Sequence, residues 1–158
     1  MSQPARPDPI RPADDAARAL ARDLCGAARF GALGVIDPET GGPMVSRVAV
    51  LWHGGAALIL VSDLSLHTVA LRRDPACSLL VGEPGPKGDP LTHPRLTLMA
   101  RAGMVDKAAV RADWLARHPK AALYYDFGDF RMWRLQVLHA HLNGGFGKAY
   151  RLTATDMA

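Results

Sequence analysis

The spacing of apolar and polar positions changes period several times along the chain, and each change marks an element. From Asp14 apolar residues recur at helical spacing. Ala17, Leu20, Leu24 and Ala28 fall on one face and Arg18 and Arg22 on the other, which predicts a helix capped by Asp14 or Asp15 and ending near Gly31. Phe30 to Ile36 is short, apolar and spaced by glycines, and it runs into the turn-forming cluster Asp37-Pro38-Glu39-Thr40-Gly41-Gly42-Pro43. This is a hairpin signal, with Met44 to His53 as the return strand. Gly54-Gly55 then turns the chain into a third strand, Ala57 to Val61.

At Ser62 the apolar run stops, and Ser62-Asp63-Leu64-Ser65 leads into a helix-like pattern containing Leu66, Val69 and Ala70. A helix capped by Ser65 would point the first backbone N–H groups outward, together with the positive end of the helix dipole, which is how a phosphate site is built. An ordinary solvated cap uses the same residues. Ala76 to Val81 reads as a strand, and a long loop rich in glycine and proline follows from Gly82 to Pro94. Arg95 to Val105 reads as a long strand. A second amphipathic helix after Asp106, with Val110, Trp114 and Leu115 inward, stops at Pro119. Phe130 to Leu142 is the last long strand, and Gly144-Gly145-Phe146-Gly147 turns it into a short closing strand, Ala149 to Leu152.

The prediction is a mainly β fold with flanking helices: six or seven antiparallel strands in hairpin order, closed into a barrel because closure removes exposed edges. Met1 to Pro12 holds four prolines and no apolar periodicity. Residues 1–12 are therefore expected to be a disordered arm, and residues 13–158 a single domain.

Composition narrows the partners. The chain has 158 residues, 49% of them hydrophobic, enough for one core. Its 19 Lys and Arg against 15 Asp and Glu give +4, but they are scattered, so no nucleic-acid partner is expected, whereas a small anionic ligand suits such a surface. Cys25 and Cys77 are far apart in apolar surroundings and are expected to be free buried thiols. The longest apolar run, Ala56 to Val61, is too short to cross a bilayer, and a cytoplasmic protein without a membrane partner is expected.

Candidate chemistry is sparse. His139 and His141, two apart on a strand, share a face, but no third ligand at a clear spacing joins them, so no metal site is assigned and surface or interface histidines are expected. Tyr124-Tyr125-Asp126-Phe127-Gly128-Asp129-Phe130 reads either as a buried corner with capping aspartates or as part of an active site. No nucleophile elbow and no phosphate-binding glycine loop is present.

Taken in order, Gly31-x-Leu33, the Gly-Gly-Pro turn, Ser46, Ser-x-Leu-x-x-His-Thr entering a helix, and Asp-Pro before an apolar strand resemble the flavin-mononucleotide (FMN)-binding split barrels related to pyridoxamine-phosphate oxidase. Tyr-x-Asp-Phe-x-Asp-Phe from Tyr124 and Gly-Gly-Phe-Gly-x-Ala from Gly144 resemble the haem-utilisation (HugZ-type) branch of that superfamily. The resemblance spans Phe30 to Leu152. It implies a split β-barrel, a homodimer with FMN at its interface, and flavin redox chemistry on a small molecule.

In that resemblance, Ser46 and its neighbour Arg47 fall on a cofactor-contacting strand, and the backbone of Val48 and Ala49 runs along the isoalloxazine edge. Ser62, Ser65, His67 and Thr68 match the loop that holds the flavin phosphate. His67 stands where the oxidases carry a Lys, so its charge would depend on pH. Arg95 opens a strand bordering the same site. Two departures stand out: Ala109 to Tyr125 lacks the Arg-Pro and Ser set that holds the oxidases' substrate phosphate, and no His follows His141, where the haem-binding relatives carry one. The alternatives that remain are haem binding through His139, His141 or His118, and a non-catalytic regulatory module using Tyr124 to Phe130 as its interface.

Overall fold

Strands that alternate apolar and polar residues can each bury one face, and six of them here bury it in a common interior. The computed structural model describes residues 8–158. In chain order the elements are β1 (Ile10–Pro12), α1 (Asp15–Ala27), β2 (Phe30–Ile36), β3 (Pro43–His53), β4 (Ala56–Ser62), α2 (Leu66–Arg73), β5 (Ala76–Val81), β6 (Arg95–Val105), α3 (Arg111–Arg117), β7 (Phe130–Asn143), β8 (Ala149–Thr153) and α4 (Ala154–Met157). Short 3-10 turns cover Pro90–Thr92, Lys107–Val110 and Pro119–Leu123. The barrel order is β7-β4-β3-β2-β5-β6, and β6 pairs back onto β7, so six antiparallel strands close. β8 extends β7 antiparallel.

The N-terminal segment departs from expectation. Of the arm expected over residues 1–12, residues 1–7 lie outside the described residues, and Ile10–Pro12 form β1, a parallel strand on β8. Its prolines do not prevent this, because Pro is tolerated on an edge strand.

Leu33, Val35, Val50, Ile59, Leu79, Leu98 and Leu135 fill the barrel interior. Asp14 caps α1, its Oδ1 accepting from Ala17 N–H at 2.7 Å. The buried line of α1 is Ala17, Ala21 and Cys25, with Leu20, Leu24 and Ala28 partly buried beside it. The face is thus rotated slightly from the predicted one, and the small residues lie deepest. Both cysteines are free and buried, and burial pushes each thiol up to about 12. A second cluster lies outside the barrel, where α3 and its flanking turns cover Leu58, Leu60 and Met132 with Trp114, Ala121 and Tyr125.

Two irregularities shape the surface. The β3–β4 ladder runs only from Val50↔Ile59 to His53↔Ala56, so the two strands part beyond it and the barrel is split there. In β7, Met99 pairs with His139 but Ala100 pairs with Val137, leaving Leu138 as an extra residue in a β-bulge. Among the described residues no helix is long and apolar enough to cross a membrane.

Candidate ligand site

The split between β3 and β4 is where the start of α2 sits. Ser46 faces inward on β3, and its Oγ lies 3.1 Å from His67 Nδ1, joining that strand to the first turn of α2. His67 Nε2 is buried and has no hydrogen-bond partner among the described residues. Burial holds the His67 imidazole below its usual pKa. The charge expected to depend on pH at this position is thus biased toward the neutral form by desolvation.

Neighbouring hydroxyls are not all free. Ser62 Oγ donates to Asp129 Oδ2 at 3.0 Å and accepts from Leu64 N–H, while Thr68 Oγ1 donates to Ser62 O at 2.7 Å. These bonds close the β4–α2 turn, so the Ser62 and Thr68 hydroxyls are already engaged within the loop. Ser65 does occupy the N-cap, but its side chain makes no capping bond. Asp63 carries both nearby guanidiniums, Arg72 at 2.7 Å and Arg131 at 2.8 Å. A phosphate here would meet Ser65, the first-turn N–H groups and a neutral His67, with two carboxylates, Asp63 and Asp129, close by. That is a weaker anion cradle than the residue types alone implied.

The remaining predicted residues are dispersed. Arg47 points to the outer face of the barrel, over the Phe30 ring at 5.3 Å. Val48 is buried in the interior, and Ala49 packs beneath the α3 cluster. Arg95 lies at the far end of β6 from α2 and donates to Leu91 O at 2.9 Å and His93 O at 3.3 Å. The Tyr124–Phe130 segment is a corner anchored by one buried residue, Tyr125, with Asp126, Phe127 and Gly128 exposed. Tyr125 is fully buried with its hydroxyl on Lys107 O, Arg111 grips Asp126, and Lys107 Nζ donates to the carbonyls of Tyr125, Phe127 and Phe130 at 2.7–2.8 Å.

An apolar concave feature that sequence reasoning did not assemble is on the outer face. Strand registers align Val45, Gly34, Ser78, Met99 and His139 in one row, and Arg47, Ala32, Leu80, Thr97, His141 and Arg151 in the next. Small residues at the middle of these rows leave a groove of about 330 Å³ lined by Gly34, Ile36, Pro43, Val45, Met99, Leu138 and His139. Val45 is 68% exposed and Leu138 55%. A smaller, more polar cleft of about 230 Å³ adjoins it and holds Arg95, Thr97, His141 and Tyr150. The His139 and His141 rings meet edge to face with centroids 5.2 Å apart. Burial, the neighbouring His139 and Arg151 hold His141 below its usual pKa. Among the described residues no group of three or more His, Cys, Asp or Glu could hold a metal ion.

A closed six-stranded antiparallel barrel, opened between β3 and β4 and plugged there by a helix start, is a split barrel. Comparison with known proteins finds the same fold and several relatives. No family model matches the chain. The non-canonical heme oxygenase HOZ of Arabidopsis thaliana, a chloroplastic protein, is 42% identical over 101 residues, covering 61% of this chain and 30% of that protein. One solved structure is 46% identical with a TM-score of 0.88, covering 93% of this chain and 98% of its own. The heme binding protein from Mycobacterium smegmatis is 32% identical with a TM-score of 0.83, covering 94% of this chain and 61% of that one. The fold alone extends to a Clostridium acetobutylicum protein of the pyridoxinephosphate oxidase family, at 14% identity and a TM-score of 0.72. The chain has the split-barrel fold that the pyridoxinephosphate oxidase family protein also shows, and its likenesses are consistent with the haem-utilisation, HugZ-type proteins of that fold. It spans 30% of the curated relative's length.

Proposed function

We propose that this protein binds haem on the outer face of its barrel, as a homodimer in which a second copy closes the groove. The observation that carries the reading is the apolar groove of about 330 Å³ with an imidazole at its rim. Ligand sites are mostly apolar with a few placed polar groups, and this groove has that make-up. Two relatives whose names refer to haem support the same reading. When bound, haem would supply a redox-active iron, and the chain's own residues would do the rest. Gly34, Ser78 and Ala32 let a flat ring approach the sheet, Val45 and Leu138 exclude water at its edge, and Arg151, paired with His141 in the second row, suits carboxylates. Exposed Val45, Leu80, Ile36 and Leu138 form an apolar face that a second copy would cover.

A second reading, FMN at the start of α2, has one observation in its favour: the unpartnered His67 Nε2 beside Ser46 and Ser65. Flavin redox chemistry would belong to that reading. The absorption spectrum separates the two. The purified protein titrated with haemin is expected to develop a saturable Soret band, whereas a two-band flavin spectrum in the purified protein with no response to haemin would favour FMN. Neither signal would leave the non-catalytic module in place of both.

A further inference from the structure

We infer that His139 is the residue that ligates the haem iron and that His141 positions it. This assignment rests on the haem reading above. The chain has six histidines. Four of them have protein partners: His53 pairs with Asp113 at 3.3 Å, His67 with Ser46 at 3.1 Å, His93 with Gly85 N–H and Lys87 O, and His118 Nε2 with Val50 O at 2.9 Å. His118 also packs on the Trp114 ring at 4.7 Å, within the cluster that fixes α3. His139 and His141 make no hydrogen bond among the described residues, so both ring nitrogens of each are open to a ligand; His67 Nε2 is also unpartnered, but it is buried beside Ser46 and does not line the groove.

The bulge explains why these two face outward. Along the first part of β7 the odd residues Trp133, Leu135 and Val137 point into the barrel, and after it the even residues Ala140 and Leu142 do. Unbroken alternation would have sent His139 and His141 inward and Ala140 out. The extra residue, Leu138, reverses the phase and delivers both imidazoles to the surface. Bulges commonly re-aim side chains in this way beside functional sites.

Between the two, surroundings decide. His139 lines the apolar groove opposite Met99, where a porphyrin can lie. His141 lies in the polar cleft with Arg95 and opposite Arg151, whose positive charge disfavours a metal cation beside it. Its ring instead braces His139 edge to face. A neutral imidazole nitrogen on His139 is the iron donor, as is common for haem proteins.

The test is haemin titration of the full chain, followed by absorption and electron paramagnetic resonance, with thermal melts to check folding. His139→Gln is expected to lose the histidine-ligated spectrum and weaken haemin binding by at least about 10-fold. His139→Gly should regain the ligated spectrum when imidazole is added. His141→Gln should keep the ligated spectrum but change its resonance anisotropy, and His118→Gln should keep it while lowering the melting temperature. A wild-type spectrum in His139→Gln, or its loss only in His141→Gln, overturns the assignment and leaves haem binding standing. No saturable band in the wild-type protein overturns haem binding and the assignment together.

Discussion

Gly31 and Gly34 lie three apart on β2 and answer to different constraints. A Cβ on Gly31 would meet Leu80 O at 2.8 Å and the Leu79 side chain at 2.9 Å, so the β2–β5 ladder itself would have to shift. Gly31→Ala is expected to cost about 1–3 kcal/mol, measured by denaturant unfolding. A Cβ on Gly34 would clash only with the Ser78 hydroxyl, at 2.7 Å, a side-chain atom that can rotate away, and would touch Ser78 O at an ordinary 3.8 Å. Larger side chains there fill the groove rather than break the sheet. Lys107 is a third case: its ammonium satisfies three carbonyls of the Tyr124–Phe130 corner. Lys107→Met removes these three bonds, leaving Phe127 O only its bond from Phe130 N–H, and is expected to lower stability by about 2 kcal/mol, because hydrogen bonds to charged groups are worth about 1.5–3 kcal/mol. His67 and His141, both held below their ordinary pKa of 6.5, make stability depend on pH. The unfolded chain protonates first as pH falls, so stability is complete above about pH 6.5 and declines below it. Urea midpoints measured from pH 7.5 to 5 should fall, and the fall should shrink in His67→Gln.

At the scale of elements, much of the chain was legible and the exceptions have physical causes. β2, β5 and β6 match their apolar runs residue for residue, because period-two alternation and flanking Gly and Pro are local signals. The site at α2 was legible in position but not in chemistry. Its Ser62 hydroxyl is taken by Asp129, 67 residues away, and the Asp63 carboxylate by Arg131, a comparable distance along the chain. No local pattern reveals such commitments. The histidine pair was legible as sharing a face, but which face depended on the bulge, and that is set by pairing with β6. Deleting Leu138 removes the extra residue while keeping His139 in phase with the outer row. This deletion is expected to fold, with a melting temperature close to wild type and a haemin response weakened by the loss of the groove-lining Leu138 but still histidine-ligated. Loss of folding or of the ligated spectrum would mean that the bulge does more than set the phase of β7.

For the whole molecule, the account turns on one uncovered face. α3 shields the outer side of β4 and the first half of β7, while the rows running from Val45 to His139 stay exposed. Val45→Glu places a charge in that face and is expected to shift the sedimentation coefficient from dimer to monomer, as like charges meet across a two-fold axis. The net charge of +4 also favours an anionic ligand such as a porphyrin dicarboxylate over a neutral one. The most direct measurement is haemin titration of the full chain beside Gly34→Val, whose side chain occupies the groove without touching a histidine. The account predicts a saturable Soret band in the wild-type protein that is strongly weakened in Gly34→Val. An equal response from the two proteins, or none from the wild type, would contradict it.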